Sequence, residues 1–85
     1  MYALYSERVK KIYIGSTGNL RKRVREHREG RGGEFTKDNG PWELIFFEGY
    51  REKIDALRAE RFFKTGYGRE VLQEKLESCL SKRRQ

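Results

Sequence analysis

The segment KIYIGSTGNLRKRVREH, residues 11–27, places a tyrosine, an arginine and a histidine within one predicted strand, turn and helix. In the helix, positions 20, 23, 24 and 27 share one face, since they follow the i, i+3, i+4, i+7 spacing. Leu20 and Val24 mark that face as the buried one. Arg23 and His27 therefore lie at or beside a buried seam, one helical turn apart. The helix alone favours structural roles for both, an arginine that covers apolar surface and a histidine at the core edge.

A second predicted helix, at about residues 52–64, places Glu60 on an apolar face by the same spacing. Its neighbours on this face include Ala56, Leu57 and Phe63. An ionised carboxylate in such surroundings needs a cation, an arginine or a metal ion as a partner. Two alternatives follow. One is an ion pair of Glu60 with Lys64, worth only about 0.2–0.5 kcal/mol if it is exposed; the other is a site for a divalent metal ion.

A tyrosine, an arginine, a histidine and one glutamate in a basic chain together suggest phosphodiester hydrolysis. Both helices place charged groups on a face that packs toward the predicted sheet, where Tyr2 or Tyr13 could project. In such a site the glutamate would bind a divalent ion, a general base would activate water, and the arginine would stabilise the charge developing on the phosphate. The candidate catalytic residues are therefore Tyr2, Tyr13, Arg23, His27 and Glu60.

The chain is basic, with a formal net charge of +7 that is unevenly distributed. Residues 1–33 carry nine Lys or Arg and three acidic residues, whereas residues 34–80 carry eight Lys or Arg and ten acidic residues. A basic half is typical of a protein with a polyanionic partner, nucleic acid first, and a basic surface without a partner is the alternative. Trp42 and Phe35 could stack on unpaired bases, with core packing favoured for Trp42. The predicted phosphate contacts are Arg21, Lys22, Arg25, Arg28, Lys64 and Arg69.

The elements that position these residues are predicted in the order β-β-α-β-α-α. YALYS and KIYIGS indicate an antiparallel hairpin with a loop at about residues 6–10. WELIFFEGY is a third strand, and its apolar run suits the middle of a sheet. Thr17 or Asn19 is expected to cap the first helix, which a glycine-rich stretch after residue 29 ends. This order predicts an α+β fold, a small three-stranded antiparallel sheet flanked by helices.

The chain of 85 residues is short enough for one domain, and we expect it to span residues 1–85. A frayed basic tail is predicted at about residues 81–85. A third helix is predicted after Gly68. The turn before it, residues 66–69, is more typical of a helix-helix connection than of a loop that binds phosphate on its amides.

Over roughly residues 2–76 the chain resembles the GIY-YIG nuclease superfamily. It is most similar to small stand-alone members related to the nuclease domain of the bacterial excision-repair nuclease. FTKDNGPWELIFFE and ALRAERFFKTGYGRE are also similar to this subfamily. The residues that carry the resemblance are Tyr2-Ala3-Leu4, Tyr13-Ile14-Gly15, Arg23, His27 and Glu60.

The resemblance implies a role for each candidate residue. Tyr13 corresponds to the tyrosine proposed as general base, and Tyr2 to a tyrosine that helps to build the site. Since free tyrosine has a pKa near ~10, Tyr13 would need a nearby cation to accept a proton at neutral pH. Arg23 corresponds to the arginine on the scissile phosphate, and His27 to a histidine that assists proton transfer or orients the phosphate. Glu60 corresponds to the single metal-binding carboxylate, which implies Mg²⁺, with Mn²⁺ able to substitute.

The sequence departs from the family pattern in two places. Met1-Tyr2-Ala3 lacks the Gly-Ile of the first tripeptide, so Tyr2 is placed by its spacing from Tyr13 alone. Many members carry a polar residue, often asparagine, after the glutamate helix. This chain has no asparagine after Asn39, so another group would have to take that role.

The resemblance implies a divalent-metal-dependent endonuclease that hydrolyses DNA, with single-stranded or branched DNA as the expected substrate and RNA left open. The alternative is a basic nucleic-acid-binding module with a weak or vestigial nuclease site, acting within a repair complex. We expect a monomer or weak dimer. A single cysteine, Cys79, and the absence of both a secretory leader and a membrane-length apolar stretch favour a cytoplasmic protein without a membrane partner.

Overall fold

The structure, a computed structural model that describes residues 1–33 and 37–83, follows the predicted order of elements with one addition. The elements are strands β1 (Tyr2–Ser6) and β2 (Lys11–Gly15), helix α1 (Leu20–Arg28), strand β3 (Glu43–Phe47), and helices α2 (Lys53–Phe63), α3 (Gly66–Lys75) and α4 (Glu77–Arg83). The α+β prediction is confirmed, and the last predicted helix is divided in two at Leu76. No helix among these residues has the length and apolar character needed to cross a lipid bilayer.

β1 is the central strand of a three-stranded antiparallel sheet in the order β2-β1-β3. It pairs with β2 from Tyr2 opposite Gly15 to Ser6 opposite Lys11, as the predicted hairpin requires. All five residues of β1 are buried, because strands cover both of its edges and side-chain clusters cover both of its faces. This strand therefore carries Tyr2 into the interior of the molecule.

β3 lies at an edge of the sheet, so the prediction that its apolar run belongs in the middle is wrong. Ala3 of β1 lies opposite Phe46. The next residue, Leu4, lies opposite Leu44, which leaves Ile45 as the extra residue of a β-bulge. Ile45 and Phe46 then pack against the same cluster. The unbroken apolar run reflects this bulge rather than a central position.

Two side chains in the turn before α1 fix where the helix begins. The Asn19 side chain accepts a hydrogen bond from the Lys22 backbone nitrogen at 3.1 Å. The Thr17 hydroxyl accepts one from the Asn19 backbone nitrogen at 3.1 Å. Asn19 is therefore the N-cap, and Thr17 orders the turn that leads to it. After the helix ends, Gly30 adopts a φ of 78°, a conformation that favours glycine.

α3 begins at Gly66, earlier than the predicted start after Gly68. Thr65 is its N-cap, and the Thr65 hydroxyl accepts a hydrogen bond from the Gly68 backbone nitrogen at 2.9 Å. Gly68 is buried in the first turn, where a Cβ atom would overlap the carbonyl oxygen of Phe62. Residues 66–69 are therefore a helical turn packed tightly on the end of α2.

α4 includes part of the tail that the sequence predicts to fray from about residue 81. Residues 81–83 form its last turn. They are held because the Arg83 guanidinium donates to the Glu43 carboxylate of β3 at 2.9 Å and to the Cys79 carbonyl oxygen at 3.0 Å. The last two residues, 84–85, lie outside the described residues.

The two faces of the sheet bury different kinds of side chain, because residues along β1 alternate between them. The cluster on the face covered by α1, the α1 face, is formed by Tyr2, Leu4, Val24 and Trp42. The cluster on the opposite face, the α2–α3 face, is formed by Met1, Ala3, Ile14, Phe63 and Leu72. Aromatic side chains that carry polar atoms thus gather beneath α1, and aliphatic packing lies beneath α2 and α3.

Candidate active site

Tyr2, Tyr13 and His27 form a ring cluster between the hairpin and α1. The Tyr2 hydroxyl oxygen and His27 Nε2 lie 3.0 Å apart and share a hydrogen bond. Between centroids, the Tyr13 ring lies 5.1 Å from the His27 ring and 6.4 Å from the Tyr2 ring. His27 is only 2% exposed, so the predicted seam position is confirmed and a tyrosine hydroxyl meets the histidine there.

Two glycines make room for this ring cluster. Gly15 lies opposite Tyr2 in the hairpin, and a Cβ atom there would lie 2.6 Å from the Tyr2 hydroxyl oxygen. Gly32 is buried beyond the end of α1, where a Cβ atom would overlap the His27 ring. Sequence reasoning missed Gly32 as part of the site, because glycines after a helix are typical of a helix end whatever they contact.

The Arg23 guanidinium is anchored on one side and open on the other. Its Nη2 donates to the Gly32 carbonyl oxygen at 2.8 Å, and its Nη1 donates to Glu26 Oε1 at 3.4 Å. It also interacts with the Tyr2 hydroxyl, which lowers the pKa of that tyrosine. Because 33% of the side chain remains exposed, Arg23 can reach both the ring cluster and an anion that arrives from solvent.

Burial shifts the pKa of two groups in the ring cluster. Loss of hydration raises the pKa of Tyr2 above its ordinary value of 10.0 despite the hydrogen bond with Arg23, so the hydroxyl keeps its proton at neutral pH. Burial also lowers the pKa of His27 below 6.5, and the charge of Arg23 lowers it further. The site therefore combines a protonated phenol, a neutral imidazole and one fixed positive charge.

Glu60 lines a groove of about 570 Å³ between α2 and the turn before α1. Its Oε2 accepts a hydrogen bond from Lys64 Nζ at 2.7 Å, so the ion pair that the sequence offered as one alternative is formed. The Glu60 side chain is 21% exposed, which leaves it accessible to a further ligand. Ser16 and Thr17 line the same groove and add hydroxyl groups to it.

The groove beside Glu60 continues into a second groove beside Tyr2, of about 340 Å³, and the two together are named the cleft. The residues that line both grooves are Thr17, Gly18, Tyr50 and Ala56. Glu60 also lies close enough to Tyr2 to raise its pKa. The structure thus brings Tyr2 from β1, Arg23 from α1 and Glu60 from α2 into one region, with Tyr13 and His27 packed behind Tyr2.

The six basic residues predicted to contact phosphates fall into two groups. The residues of α1 are Arg21, Lys22, Arg25 and Arg28, all exposed. The three arginines of this group line a shallow groove of about 340 Å³ beside Leu44 of β3. Lys64 and Arg69 line a different groove, which lies along β2. The structure therefore divides the predicted contacts between two surfaces.

Two exposed aromatic side chains at the rim of the cleft, Phe47 and Tyr50, were missed by sequence reasoning. They are 60% and 42% exposed and line the groove beside Tyr2. The alternation of WELIFFEGY could not single out Phe47, because the bulge at Ile45 changes which residues of β3 face the core. Trp42 is buried as favoured, at 2% exposure, and Phe35 lies outside the described residues.

The carboxylate set at the cleft is small. Across residues 1–33 and 37–83, no three His, Cys, Asp or Glu side chains lie together as a metal cluster. Mg²⁺ keeps several waters and is commonly held by one or two carboxylates together with substrate phosphates, so the accessible Glu60 fits such an ion. The same residues do not fit a structural zinc site, which needs four protein ligands.

Comparison with known proteins gives a match over most of the chain. A family model described as "GIY-YIG catalytic domain" matches residues 1–75. The chain is 46% identical over 52 residues to UPF0213 protein YazA of Bacillus subtilis (strain 168), a region that covers 61% of this chain and 52% of that protein. It is 32% identical over 73 residues to UPF0213 protein RBAM_000440 of Bacillus velezensis, which covers 86% of this chain and 69% of that relative.

A third relative, UPF0213 protein CPE1444 of Clostridium perfringens, is 38% identical over 53 residues, which cover 62% of this chain and 57% of that protein. The chain therefore spans little more than half the length of the B. subtilis and C. perfringens relatives. No solved structure matches the chain.

Proposed function

The chain belongs to the family of GIY-YIG catalytic domains, and we propose that it is an endonuclease that hydrolyses DNA phosphodiester bonds. The observation that carries the proposal is the cleft, which receives a phenol, a guanidinium and a carboxylate from three different elements. A domain that only bound nucleic acid would have no need of Glu60 in the cleft, since a carboxylate repels phosphate unless a cation lies between them.

Arg23 is proposed to bind the scissile phosphate. Its bonds to the Gly32 carbonyl oxygen and to Glu26 fix the guanidinium before substrate arrives, and its exposed part remains available to the anion. Donors held in place in this way stabilise charge that develops in a transition state without reorganising. Removing one such donor typically lowers the rate by about 10² to 10³ fold.

Tyr13 is proposed as the general base that takes a proton from the attacking water, with Tyr2 and His27 as its positioning partners. Tyr2 is a poor candidate for the base, because burial raises its pKa and its hydroxyl is bonded to His27. Tyr13 packs against both rings and is only partly buried. Arg23 beside the ring cluster is a cation that favours a deprotonated phenol.

Glu60 is the residue that would hold Mg²⁺, or Mn²⁺ in its place. Such an ion, when bound, supplies positive charge to the phosphate and to the leaving oxygen. Lys64 already donates to Glu60 Oε2, so it competes for the same carboxylate. We therefore expect metal affinity to rise when the Lys64 ammonium is removed, a change that metal titration of Lys64→Met would detect.

Single-stranded or branched DNA is the proposed substrate. The exposed rings of Phe47 and Tyr50 lie beside the cleft, where unpaired bases next to the scissile phosphate could stack on them. Stacking on an aromatic side chain is worth about 1–3 kcal/mol per base and requires bases that are not already paired. RNA offers the same rings and phosphates, so it belongs among the substrates to be tested.

Cleavage by wild type and Glu60→Gln, with and without Mg²⁺, tests the proposal. We expect wild type to cut only with metal, and Glu60→Gln to lose on the order of 10² fold or more in rate. The matched control is Glu70→Gln, which removes an exposed carboxylate on α3 and should cut like wild type. Equal cleavage by wild type and Glu60→Gln would contradict the proposal.

A substrate panel of single-stranded, duplex, flap and branched DNA, together with single-stranded RNA, tests the substrate. We expect strands with unpaired bases to be cut faster than a continuous duplex. Phe47→Ala and Tyr50→Ala should reduce this preference more than they reduce cleavage overall. Equal rates on all members of the panel would reject stacking as the source of selectivity.

The ion pair between Lys64 and Glu60 favours a second candidate function, a nucleic-acid-binding module with a weak or vestigial site. In this alternative Lys64 permanently neutralises the carboxylate. The module would bind strands with a steep dependence on salt and release them uncut. Tight binding without cleavage of any member of the panel, in Mg²⁺ and in Mn²⁺, would favour this alternative over the nuclease.

A further inference from the structure

A groove of about 540 Å³ runs along β2, apart from the cleft. It is bounded by the end of the hairpin loop, by β2, and by residues of α3 and the end of α2. Its polar lining is Lys10, Lys11, Lys64, Arg69 and Gln73. The backbone beside it belongs to an edge strand, since β2 pairs with β1 alone among the described strands. This surface is named the β2 groove.

The β2 groove concentrates positive charge without a matching carboxylate. No acidic side chain lines it among the described residues. Within the same part of the chain, Arg23, Arg31 and Arg83 each form an ion pair, whereas Lys11 and Arg69 form none. Like charges held close together repel one another, so such a groove is stabilised when an anion enters it.

Lys64 connects the β2 groove to the cleft. Its side chain lines the β2 groove, and its ammonium donates to Glu60 of the cleft at 2.7 Å. Tyr13 also lies at both places, since its ring packs against Tyr2 while its residue lines the β2 groove. A strand whose scissile phosphate lies at Arg23 and Glu60 would therefore meet the β2 groove on one side.

We propose that the β2 groove binds the phosphate backbone of the substrate strand where it leaves the cleft. The proposal rests on the proposed function, because it assumes a polynucleotide in the cleft. Lys10, Lys11 and Arg69 would contact successive phosphates, and the Gln73 amide would donate to a phosphate or sugar oxygen. These contacts fix the position of the strand and carry no sequence information.

The charge of the β2 groove favours a polynucleotide over a small anion. One phosphate group carries a charge of about −1.5 to −2 at neutral pH, whereas three cations line the groove besides the Lys64 that Glu60 already pairs. A nucleoside triphosphate offers several phosphates as well, so it is the alternative ligand of the same chemistry. Competition between the two ligands separates them.

Binding measured without cleavage tests the proposal. The probe is a fluorescent single-stranded DNA, followed by anisotropy in a metal chelator over a range of salt concentrations. The variant is Lys11→Gln with Arg69→Gln, two exposed positions outside the cleft. The matched control is Arg58→Gln with Lys75→Gln, which removes the same charge from exposed positions outside the β2 groove. Thermal unfolding of each variant checks that the fold is kept.

We expect the Lys11 and Arg69 variant to bind the strand on the order of tenfold more weakly near 0.1 M salt. Its slope of log affinity against log salt should become shallower by about 1.4, since each phosphate contact to a single strand contributes about 0.7. The control should keep the wild-type slope. In cleavage assays the variant should raise KM and leave kcat unchanged.

Equal salt slopes for the variant and its control would overturn the proposal, and so would a wild type that does not bind the strand. Displacement of the strand by ATP at equal phosphate concentration would also overturn it, in favour of a small polyphosphate. If wild type binds and the variant binds more weakly, but nothing is cut with metal, the β2 groove stands and the proposed nuclease function fails.

Discussion

Tyr2 and Tyr5 lie three residues apart on β1, and both are 1% exposed. The Tyr2 hydroxyl, on the α1 face, lies 3.0 Å from Nε2 of His27. Tyr5 shares a face with Ala3 by alternation, and its hydroxyl has no hydrogen-bond partner in the described part of the chain. Equal burial of the same residue type therefore serves a polar contact on one face and only fills volume on the other.

The same difference separates the two faces as a whole. The α1 face buries a histidine that is kept neutral and supports an arginine at its edge. The α2–α3 face is built from residues such as Phe63 and Leu72, which offer only apolar contact. We conclude that the α2–α3 face supplies most of the folding free energy, whereas the α1 face gives part of it up to hold polar groups.

The largest effect on stability is expected for Leu72→Ala on the α2–α3 face. Leu72 is 1% exposed, and truncation of a buried leucine costs about 2–5 kcal/mol through lost burial and the cavity that remains. Chemical denaturation measures the change. The control is Ile54→Ala at a 61% exposed position of α2, which should cost less than about 0.5 kcal/mol. Similar losses for the two variants would contradict the division between the faces.

Gly32→Ala is expected to have the next largest effect and to act on the α1 face. The new Cβ atom would overlap the His27 ring, and overpacking of this kind costs about 1–3 kcal/mol. Cleavage per folded molecule should also fall, because the Gly32 carbonyl oxygen holds Arg23. Gly66→Ala is the matched control, since a Cβ atom there meets nothing within 4 Å. A Gly32→Ala protein as stable and active as this control would refute the role of Gly32.

The pair Tyr2→Phe and Tyr5→Phe sharpens the comparison, because each removes one buried hydroxyl. Tyr2→Phe should lower the free energy of unfolding by about 1–2 kcal/mol, since a buried hydrogen bond to His27 is lost. Tyr5→Phe should leave stability unchanged or raise it by up to about 1 kcal/mol, since its hydroxyl has no partner among the described residues. Urea titrations of both variants check the sign, and equal losses would remove the contrast.

The smallest effect is a pH dependence that belongs to His27. Burial lowers its pKa in the folded protein below the ordinary 6.5, so the unfolded chain binds the proton more readily. Stability is therefore full above about pH 6.5. It should fall as pH drops through that value toward the lowered pKa, by at most about 1.4 kcal/mol per pH unit.

His27→Asn should remove this part of the pH dependence between pH 7 and pH 5, as unfolding at several pH values would show. Carboxylates titrate in the same acid range, so the comparison with wild type isolates the histidine. If the variant and wild type lose stability in parallel, the imidazole is not the group responsible.

Local signals predicted much of the fold. The Asn19 cap, the hairpin and the spacing of Arg23 and His27 depend on neighbours a few residues away, and the structure confirms each. The sequence could not show that β3 lies at an edge, because the bulge at Ile45 exists only once β1 and β3 are paired. Strand order is a long-range property that alternation does not encode.

The candidate site was predictable in its chemistry but not in its supports. Residue type and spacing single out Arg23 and Glu60. The contact of Gly32 with Arg23 and His27 depends on the path of the chain after α1, which no spacing rule gives. Likewise, the β2 groove joins Lys10 and Lys11 to Arg69 across most of the chain, so only the folded structure reveals it.

The most direct test of the separation between the faces is the single-turnover cleavage rate per folded molecule, measured beside stability for Arg23→Gln and Leu72→Ala. We predict that Arg23→Gln slows cleavage by on the order of 10² fold or more, with little change in unfolding, because its side chain is partly exposed. Leu72→Ala should lose stability while its folded fraction cuts at the wild-type rate. A fully folded Arg23→Gln protein that cuts as fast as wild type would contradict the account.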